Sequence, residues 1–224
     1  MTPFRIFIQA RMSSTRFPGK VLAKLDGQPI IRWAILNCQA ALDADWGEVV
    51  VLTSTDPSDD VFVEFLGDSI PVFRGSLDDV FGRFRAALDI TNETYPCERF
   101  VRICADSPFH APKVLEQIMS IAQESDADIT TNVYPTRSYP PGQSVEVVKT
   151  SAFLSIDPTT LTDYQREHVT PVFYQNPERW RIKSVTAPIP APKWLGLTVD
   201  TPEDLLRVEQ WIEANRWLDG VMPT

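Results

Sequence analysis

The sequence predicts an α/β protein of three layers, with a mainly parallel sheet between helices. Three observations predict it. Short apolar runs alternate with segments of helical periodicity from residue 4 to about residue 131, the order of βαβ units with right-handed crossovers. Glu48-Val49-Val50-Val51-Leu52-Thr53-Ser54 is a continuous β-branched run, the mark of a strand covered on both faces. Phe4-Arg5-Ile6-Phe7-Ile8, closed by Gln9-Ala10, empties into the polar loop Arg11-Met12-Ser13-Ser14-Thr15-Arg16-Phe17-Pro18-Gly19-Lys20. In open α/β sheets, ligands bind beyond the carboxyl ends of the strands, where this loop lies.

The elements follow in order. Pro29 to Asp43 reads as a helix, with Ile30, Trp33, Ala34 and Asn37-Cys38 at helical spacing and Pro29 in the first turn. After the strand Glu48–Ser54 come a short helix, Val61 to Leu66, and a short strand, Ile70 to Phe73, ending in Arg74-Gly75-Ser76. Leu77 to Ile90 is a helix with Val80, Phe81, Phe84 and Leu88 on one side, and Arg83 is expected at its surface. Phe100 to Ala105 is a strand, Val114 to Ala122 a helix and Ile129 to Thr131 a strand. The rhythm then breaks at Tyr134-Pro135 and Tyr139-Pro140-Pro141-Gly142, which are turn formers. Val145, Val147 and Val148 suggest a further strand. Tyr164 to Tyr174 suggests a helix that Pro171 must bend or interrupt. Trp180–Val185 and Leu195–Val199 read as strands. Thr201, Pro202, Glu203 and Asp204 signal the start of a last helix with Leu205, Val208 and Ile212 on its core face. The whole, residues 1–224, is read as one domain, with 132–190 as an excursion that closes over a ligand or supplies a subunit interface.

The composition bounds the function. A chain of 224 residues with 43% apolar content carries a real core. No stretch approaches the roughly 20 apolar residues of a membrane span, and no secretory leader pattern opens the chain, so a cytoplasmic protein is expected. Cys38, Cys97 and Cys104 lack metal or redox spacing and are expected as buried free thiols. A formal charge of −9 argues against general nucleic-acid binding. An anionic ligand must therefore be attracted locally.

The loop supplies that attraction. It holds three cations, three hydroxyls and one glycine, the donors a polyphosphate needs. It is not a P-loop, because Ser14 and Val21 stand where that motif has its first glycine and its Ser or Thr. No G-x-G-x-x-G occurs anywhere. Taken alone, the loop reads equally as a solvated basic turn. Two aspartates weigh against that reading. Asp106 ends the strand Val101–Ala105, and Asp200 ends Leu197–Val199. Alone, Asp200 is a cap residue and Asp106-Ser107-Pro108 an Asx-turn. Together, facing a cationic loop, they are the hard oxygen ligands that hold Mg²⁺ against a nucleoside triphosphate.

The run from Gln9 to Leu22 resembles the opening signature of the cytidylyltransferases that activate acidic sugars. It is most similar to the branch of spore coat polysaccharide biosynthesis protein F, with the sialic acid and 3-deoxy-manno-octulosonate activating enzymes as more distant relatives. Arg102-Ile103-Cys104-Ala105-Asp106-Ser107-Pro108 and Val199-Asp200-Thr201-Pro202-Glu203-Asp204 extend the match over most of the chain. The resemblance implies a Rossmann-like (GT-A-like) nucleotidyltransferase fold, a homodimer, and a Mg²⁺-dependent reaction of CTP with an acidic sugar that releases pyrophosphate. It implies Arg11, Lys20, Asp106 and Asp200 as catalytic, with Asp106 and Asp200 on the metal. Nucleotide contacts would come from Ala10, Arg11, Ser13, Ser14, Arg16, Lys20, Arg74 and Arg102. Sugar contacts would come from Gly142, Glu146, Arg166 and His168, although a lone histidine is more often structural.

The chain departs from the family's pattern at Pro141 and Ser144, where an acid is usual, and at Ser107 and His110-Ala111. The nucleotide end is intact and the sugar end is altered. A nucleotidyltransferase using another NTP or a polyol phosphate, and a nucleotide-binding protein without transferase activity, stay open at this point.

Overall fold

The computed structural model describes residues 4–42, 47–94, 96–192 and 195–215. Seven strands form one sheet: β1 (Phe4–Gln9), β4 (Gly47–Ser54), β5 (Val72–Gly75), β6 (Arg99–Cys104), β7 (Ile129–Thr131), β8 (Glu146–Lys149) and β9 (Ile182–Ser184). A two-stranded hairpin, β2 (Lys24–Leu25) and β3 (Gln28–Pro29), stands apart. The sheet order is β5-β4-β1-β6-β8-β7-β9. Pairs β4·β5, β1·β4, β1·β6 and β7·β9 are parallel, and β8 runs antiparallel to both its neighbours.

Alternation along the strands builds a core on each face. Ile6, Ile8, Val49, Val51, Val101 and Ile103 pack with α1 (Ile30–Ala40), α2 (Asp60–Leu66) and α4 (Pro112–Gln123). Phe7, Val50, Leu52 and Phe100 turn the other way. They meet α3 (Val80–Thr94), α5 (Thr150–Leu154) and α7 (Pro171–Tyr174), while α6 (Asp163–His168) packs on α3. Both strand faces are thus apolar, which is why these strands read as unbroken runs. A third cluster joins Trp33 and Phe109 to Leu197, Val199 and the last helix, α8 (Pro202–Asn215).

Several elements differ from the expectation, each for a local reason. Helix α1 ends at Ala40, and Asp43 lies outside the described residues. Helix α3 starts at Val80 rather than Leu77, because the Asp79 side chain accepts a hydrogen bond from Gly82 N (2.9 Å) and caps it there. The helix expected over 164–174 is two, α6 and α7. Val169 sits at φ 69° between them, and Pro171 opens the second. Leu195–Val199 is not a strand. It is extended chain tied by single bonds, Leu197 N to Pro141 O and Val199 N to Asp106 O, both 2.8 Å. Segment 132–190 does not leave the sheet entirely, since it contributes β8 and β9.

Helix α8 begins as expected. Asp204 N donates to Thr201 Oγ1 (3.2 Å), and the Asp204 carboxylate accepts from the backbone N–H groups of Asp200 and Thr201 (3.0 Å each). That reciprocal cap fixes the backbone at Asp200. Among the described residues, no helix is long and apolar enough to cross a membrane.

Candidate active site

Strand β1 stands between β4 on one side and β6 on the other, so the chain changes direction around it. The crevice at such a switch point is where open α/β sheets place ligands. The loop 10–20 leaves β1 here, and Asp106 lies two residues past the end of β6.

A buried carboxylate pins the loop. Asp59 is fully buried at the start of α2. Its Oδ1 accepts from Met12 N (2.7 Å), and its Oδ2 accepts from Ser54 N (3.0 Å), Thr53 Oγ1 (2.9 Å) and Ser54 Oγ. The loop then closes on itself, with Ser14 N (2.9 Å) and Gly19 N (2.8 Å) both donating to Met12 O. Gly19 takes φ 74°, a backbone position that favours glycine, and turns Lys20 inward.

Lys20 is buried, and its ammonium sits between the two predicted aspartates. Nζ donates to Asp106 Oδ2 (3.1 Å), Asp200 Oδ1 (2.9 Å) and Val199 O (3.1 Å). Arg16 reaches Asp200 Oδ1 as well (2.9 Å), from an exposed position. Two carboxylate oxygens from separate segments therefore converge on one cation. That donor set fits a divalent cation, with nucleotide phosphate and water completing its coordination. Among the described residues, no group of three or more acidic, histidine or cysteine side chains is arranged to hold a metal ion.

Two clefts meet at this point. The first, of about 300 Å³, lies under the loop and is lined by Gln9, Ala10, Arg11, Ser14, Arg16 and Lys20 among others. Arg83, His168 and Asp200 also border it. The second, of about 380 Å³, is bordered by Ser107, His110, Arg137, Gly142, Ser144 and Glu146 among others. Arg102, Cys104 and Asp106 border both. They are alternate residues along and just past β6, so one face of one strand forms the shared wall.

That wall is electrostatically set. Arg102 Nη1 pairs with Glu146 Oε2 (2.6 Å), its Nε donates to Gln9 Oε1 (3.0 Å), and Tyr174 Oη donates to Glu146 Oε1 (2.6 Å). Burial pushes the Cys104 thiol up to about 11, with the nearby Arg102 partly offsetting it. Cys104 is therefore a neutral thiol at neutral pH, half-buried rather than fully buried as expected. Cys38 and Cys97 are buried and free.

Beside those charges, neutral hydrogen bonds hold the rest of the second cleft's segment. His110 is buried, and its Nε2 donates to Ser144 O (2.9 Å) while Nδ1 has no partner. Burial lowers its pKa, so the ring is neutral. Gln143 accepts from Ala111 N (2.9 Å) and donates to Phe109 O. Asn132 donates to Gln143 O (2.7 Å) and accepts from Val145 N (2.9 Å). Gly142 takes φ 96°, and a Cβ there would lie 2.6 Å from the Leu197 carbonyl carbon. Arg137 donates to Ser144 Oγ at the rim.

The sequence assignment divides accordingly. Ala10, Arg11, Ser14, Arg16, Lys20, Arg102, Asp106 and Asp200 come together at the first cleft. Ser13 is exposed and is not among its lining residues. Arg74 lines neither cleft. It donates to Ser54 O (2.8 Å) and Asp56 O (3.2 Å) and pairs with Asp60 (2.7 Å). Gly142 and Glu146 border the second cleft, but His168 borders the first, its ring 4.5 Å from that of Tyr164. Arg166 is in neither; it holds Asp79 (3.2 Å) and Pro158 O. Arg83, expected at the surface, is buried and donates to Ser76 O (Nε, 2.9 Å) and Leu77 O (3.2 Å). Burial and the neighbouring Arg11 lower its pKa to about 10, so it stays a cation at neutral pH.

The Cytidylyltransferase family model matches residues 6–199, which include the loop, β6 and the lining of both clefts except Asp200. The chain belongs to the cytidylyltransferase family. It is a nucleotidyltransferase, and its fold is that of its relatives. It is 30% identical over 210 residues to spore coat polysaccharide biosynthesis protein SpsF of Bacillus subtilis (strain 168), covering 91% of this chain and 84% of that protein. Over 143 residues it is 31% identical to a 3-deoxy-manno-octulosonate cytidylyltransferase of Parabacteroides distasonis, covering 62% of this chain and 52% of the relative. A cytidylyltransferase of Leptospira borgpetersenii superposes with a TM-score of 0.82 at 24% identity, covering 100% of this chain and 99% of that one. A CMP:2-keto-3-deoxy-manno-octonic acid synthetase complexed with CTP superposes at 0.68 with 16% identity, covering 96% and 100%.

Proposed function

We propose that this chain transfers the cytidylyl group of CTP to an acidic sugar, sialic-acid-like or another keto-deoxy sugar acid, and releases pyrophosphate, in the making of a surface polysaccharide or glycan. The observation that carries this reading is the meeting of two clefts at Asp106, one lined by the cations Arg11, Arg16, Lys20 and Arg83 and one where Arg137 and Glu146 stand beside the neutral groups of Ser107, His110 and Ser144. A two-substrate transfer needs that arrangement, with the reacting atoms held at the junction.

CTP occupies the cleft under the loop. Arg11 and Arg16 bind its outer phosphates, and Ser14 donates to a phosphate oxygen. Arg83 adds a fixed positive charge to the cleft wall. The acceptor fills the second cleft against Gly142, Ser144 and Glu146. Its hydroxyl attacks the α-phosphorus in line, a new P–O bond forms, and the bond to the bridging oxygen breaks with departure of pyrophosphate. Asp106 borders both clefts and is placed to take the hydroxyl's hydrogen bond. Asp106 and Asp200 would hold Mg²⁺, which when bound supplies neutralisation of phosphate charge and a lowered hydroxyl pKa. Positioning and charge neutralisation carry such transfers, so no dedicated histidine base is required.

The test is pyrophosphate release with CTP, UTP, GTP or ATP against a panel of keto-deoxy sugar acids and polyol phosphates, with and without Mg²⁺. Thermal unfolding runs in parallel, because a ligand at about 100 times its Kd stabilises by roughly 2.7 kcal/mol. Release confined to CTP and a sugar acid, and dependent on Mg²⁺, is the expected result. Release with another nucleotide or a polyol phosphate replaces the substrate and keeps the enzyme. Binding without release from any pair leaves a nucleotide-binding protein. The homodimer and the cytoplasmic location belong to the same proposal, and sedimentation of the purified chain tests the first.

A further inference from the structure

Lys20 stands in an unexpected place. A loop lysine read as a nucleotide contact should project into the open cleft. Instead its side chain is 11% exposed, and all three ammonium protons have acceptors, two of them the carboxylates of Asp106 and Asp200. The position it fills is the point on which the two carboxylate oxygens converge. A divalent cation seeking both aspartates would need the same point, and two cations cannot share it.

We propose that Lys20 is the resident counter-cation of the aspartate pair, and that it yields the pair to the metal only when nucleotide phosphates draw its ammonium away. This inference rests on the reading of Asp106 and Asp200 as the metal carboxylates. Three features of the chain support an exchange. Lys20 is a point charge on a flexible four-carbon stem, so its head can move while its backbone stays fixed by the Gly19 turn. The first cleft, where phosphates would lie, is bordered by Lys20 itself together with Arg11 and Arg16. Arg16 makes only the outer contact to Asp200 and is exposed, so the incoming anion meets a releasable cation first. The order of assembly follows: nucleotide arrives, Lys20 crosses from carboxylate to phosphate, and the metal enters the place it left. The same movement keeps the pair neutralised at every stage and keeps free metal out of the empty enzyme.

The test is Mn²⁺ binding to the purified chain in the absence of nucleotide, read by electron paramagnetic resonance of the unbound ion. Wild type is compared with Lys20→Met and with the double variant Lys20→Met/Asp106→Asn. The expected result is that Lys20→Met binds Mn²⁺ at least about tenfold more tightly than wild type, and that the double variant loses the gain. If Lys20→Met binds no more tightly while the double variant binds more weakly still, the aspartates take the metal and Lys20 does not compete. That outcome overturns the exchange and leaves the metal reading in place. If wild type and both variants bind alike, the aspartates are not the metal site, and both readings fall. Lys20→Gln, which keeps a neutral donor between the carboxylates, serves in the same comparison if the methionine variant does not fold.

Discussion

The two clefts are built on opposite principles. The nucleotide cleft is a set of charges that hold one another: Lys20 on Asp106 and Asp200, Arg16 on Asp200, and Arg11 on Glu167 at 3.3 Å. Apart from Lys20 these partners are at least partly exposed, so each pairing is weak and open to exchange with phosphate. The second cleft is bordered by His110, and Gln143 and Asn132 adjoin its lining residues in sequence; all three are buried and bonded to backbone groups. Such bonds are costly to break and have no exchangeable charge. The difference teaches that the loop side of the first cleft is held by exposed, exchangeable ion pairs, whereas the second is held by buried hydrogen bonds and the buried Arg102–Glu146 pair.

The largest effect should come where the two clefts touch. Asp106→Ala should lower kcat by at least about 10²-fold, the usual scale for loss of preorganised electrostatic stabilisation, with the fold intact. Pyrophosphate release and a thermal midpoint within a few degrees of wild type check both halves. Unchanged turnover at saturating Mg²⁺ would remove Asp106 from the chemistry. Next is the buried anchor of the loop on the nucleotide side. Asp59→Asn turns a fourfold acceptor into a group that must face donors with an amide, and should cost about 2–3 kcal/mol. The thermal midpoint should fall by roughly 5–10 °C, and CTP binding by calorimetry should weaken with it, since the loop loses its anchor. If CTP binding is untouched, the loop is held by something else.

On the acceptor side, Gly142→Ala should cost about 2 kcal/mol, from a strained backbone and a clash with the Leu197 carbonyl. Denaturant midpoints measure it, and the contrast predicts that CTP affinity stays within about twofold. The smallest effect is that of His110. Its folded pKa lies below the ordinary 6.5 because of burial, so the unfolded chain takes up a proton that the folded chain refuses. Its contribution to stability is full above about pH 6.5 and is lost as the pH falls toward the folded value. Replacing His110 with Gln should flatten that part of the stability–pH curve. An unchanged curve would assign the acid sensitivity to other groups.

What the sequence displayed depended on how local the cause was. Asp106 was legible because a strand ended in Asp-Ser-Pro, and Asp200 because a capped helix followed it. Asp59 was not, since Asp56-Pro57-Ser58-Asp59-Asp60 looks like any acidic turn until Thr53, Ser54 and Met12 are brought around one of its members. Arg83 was misplaced because its burial is set by the loop at 76–77, whose carbonyls it satisfies, not by its own helix. Leu195–Val199 has the composition of a strand, but its N–H groups meet isolated carbonyls, of Pro192, Pro141 and Asp106, so no ladder forms. The neutral wall around His110 and Gln143 leaves no motif, because amides bonding backbone look like surface polar residues in one dimension.

Among the described residues, three line both clefts, and all lie on one strand and its exit. The rest of the acceptor wall comes largely from the separate stretch between 132 and 146. Such a molecule is modular in the engineering sense. Under the proposed function, substitutions in that stretch would change which acceptor is taken while the residues of the first cleft stay as they are. The changed residues at 141 and 144 are the kind of edit this layout tolerates, so chains of this family can diverge in product without first surviving the loss of the reaction.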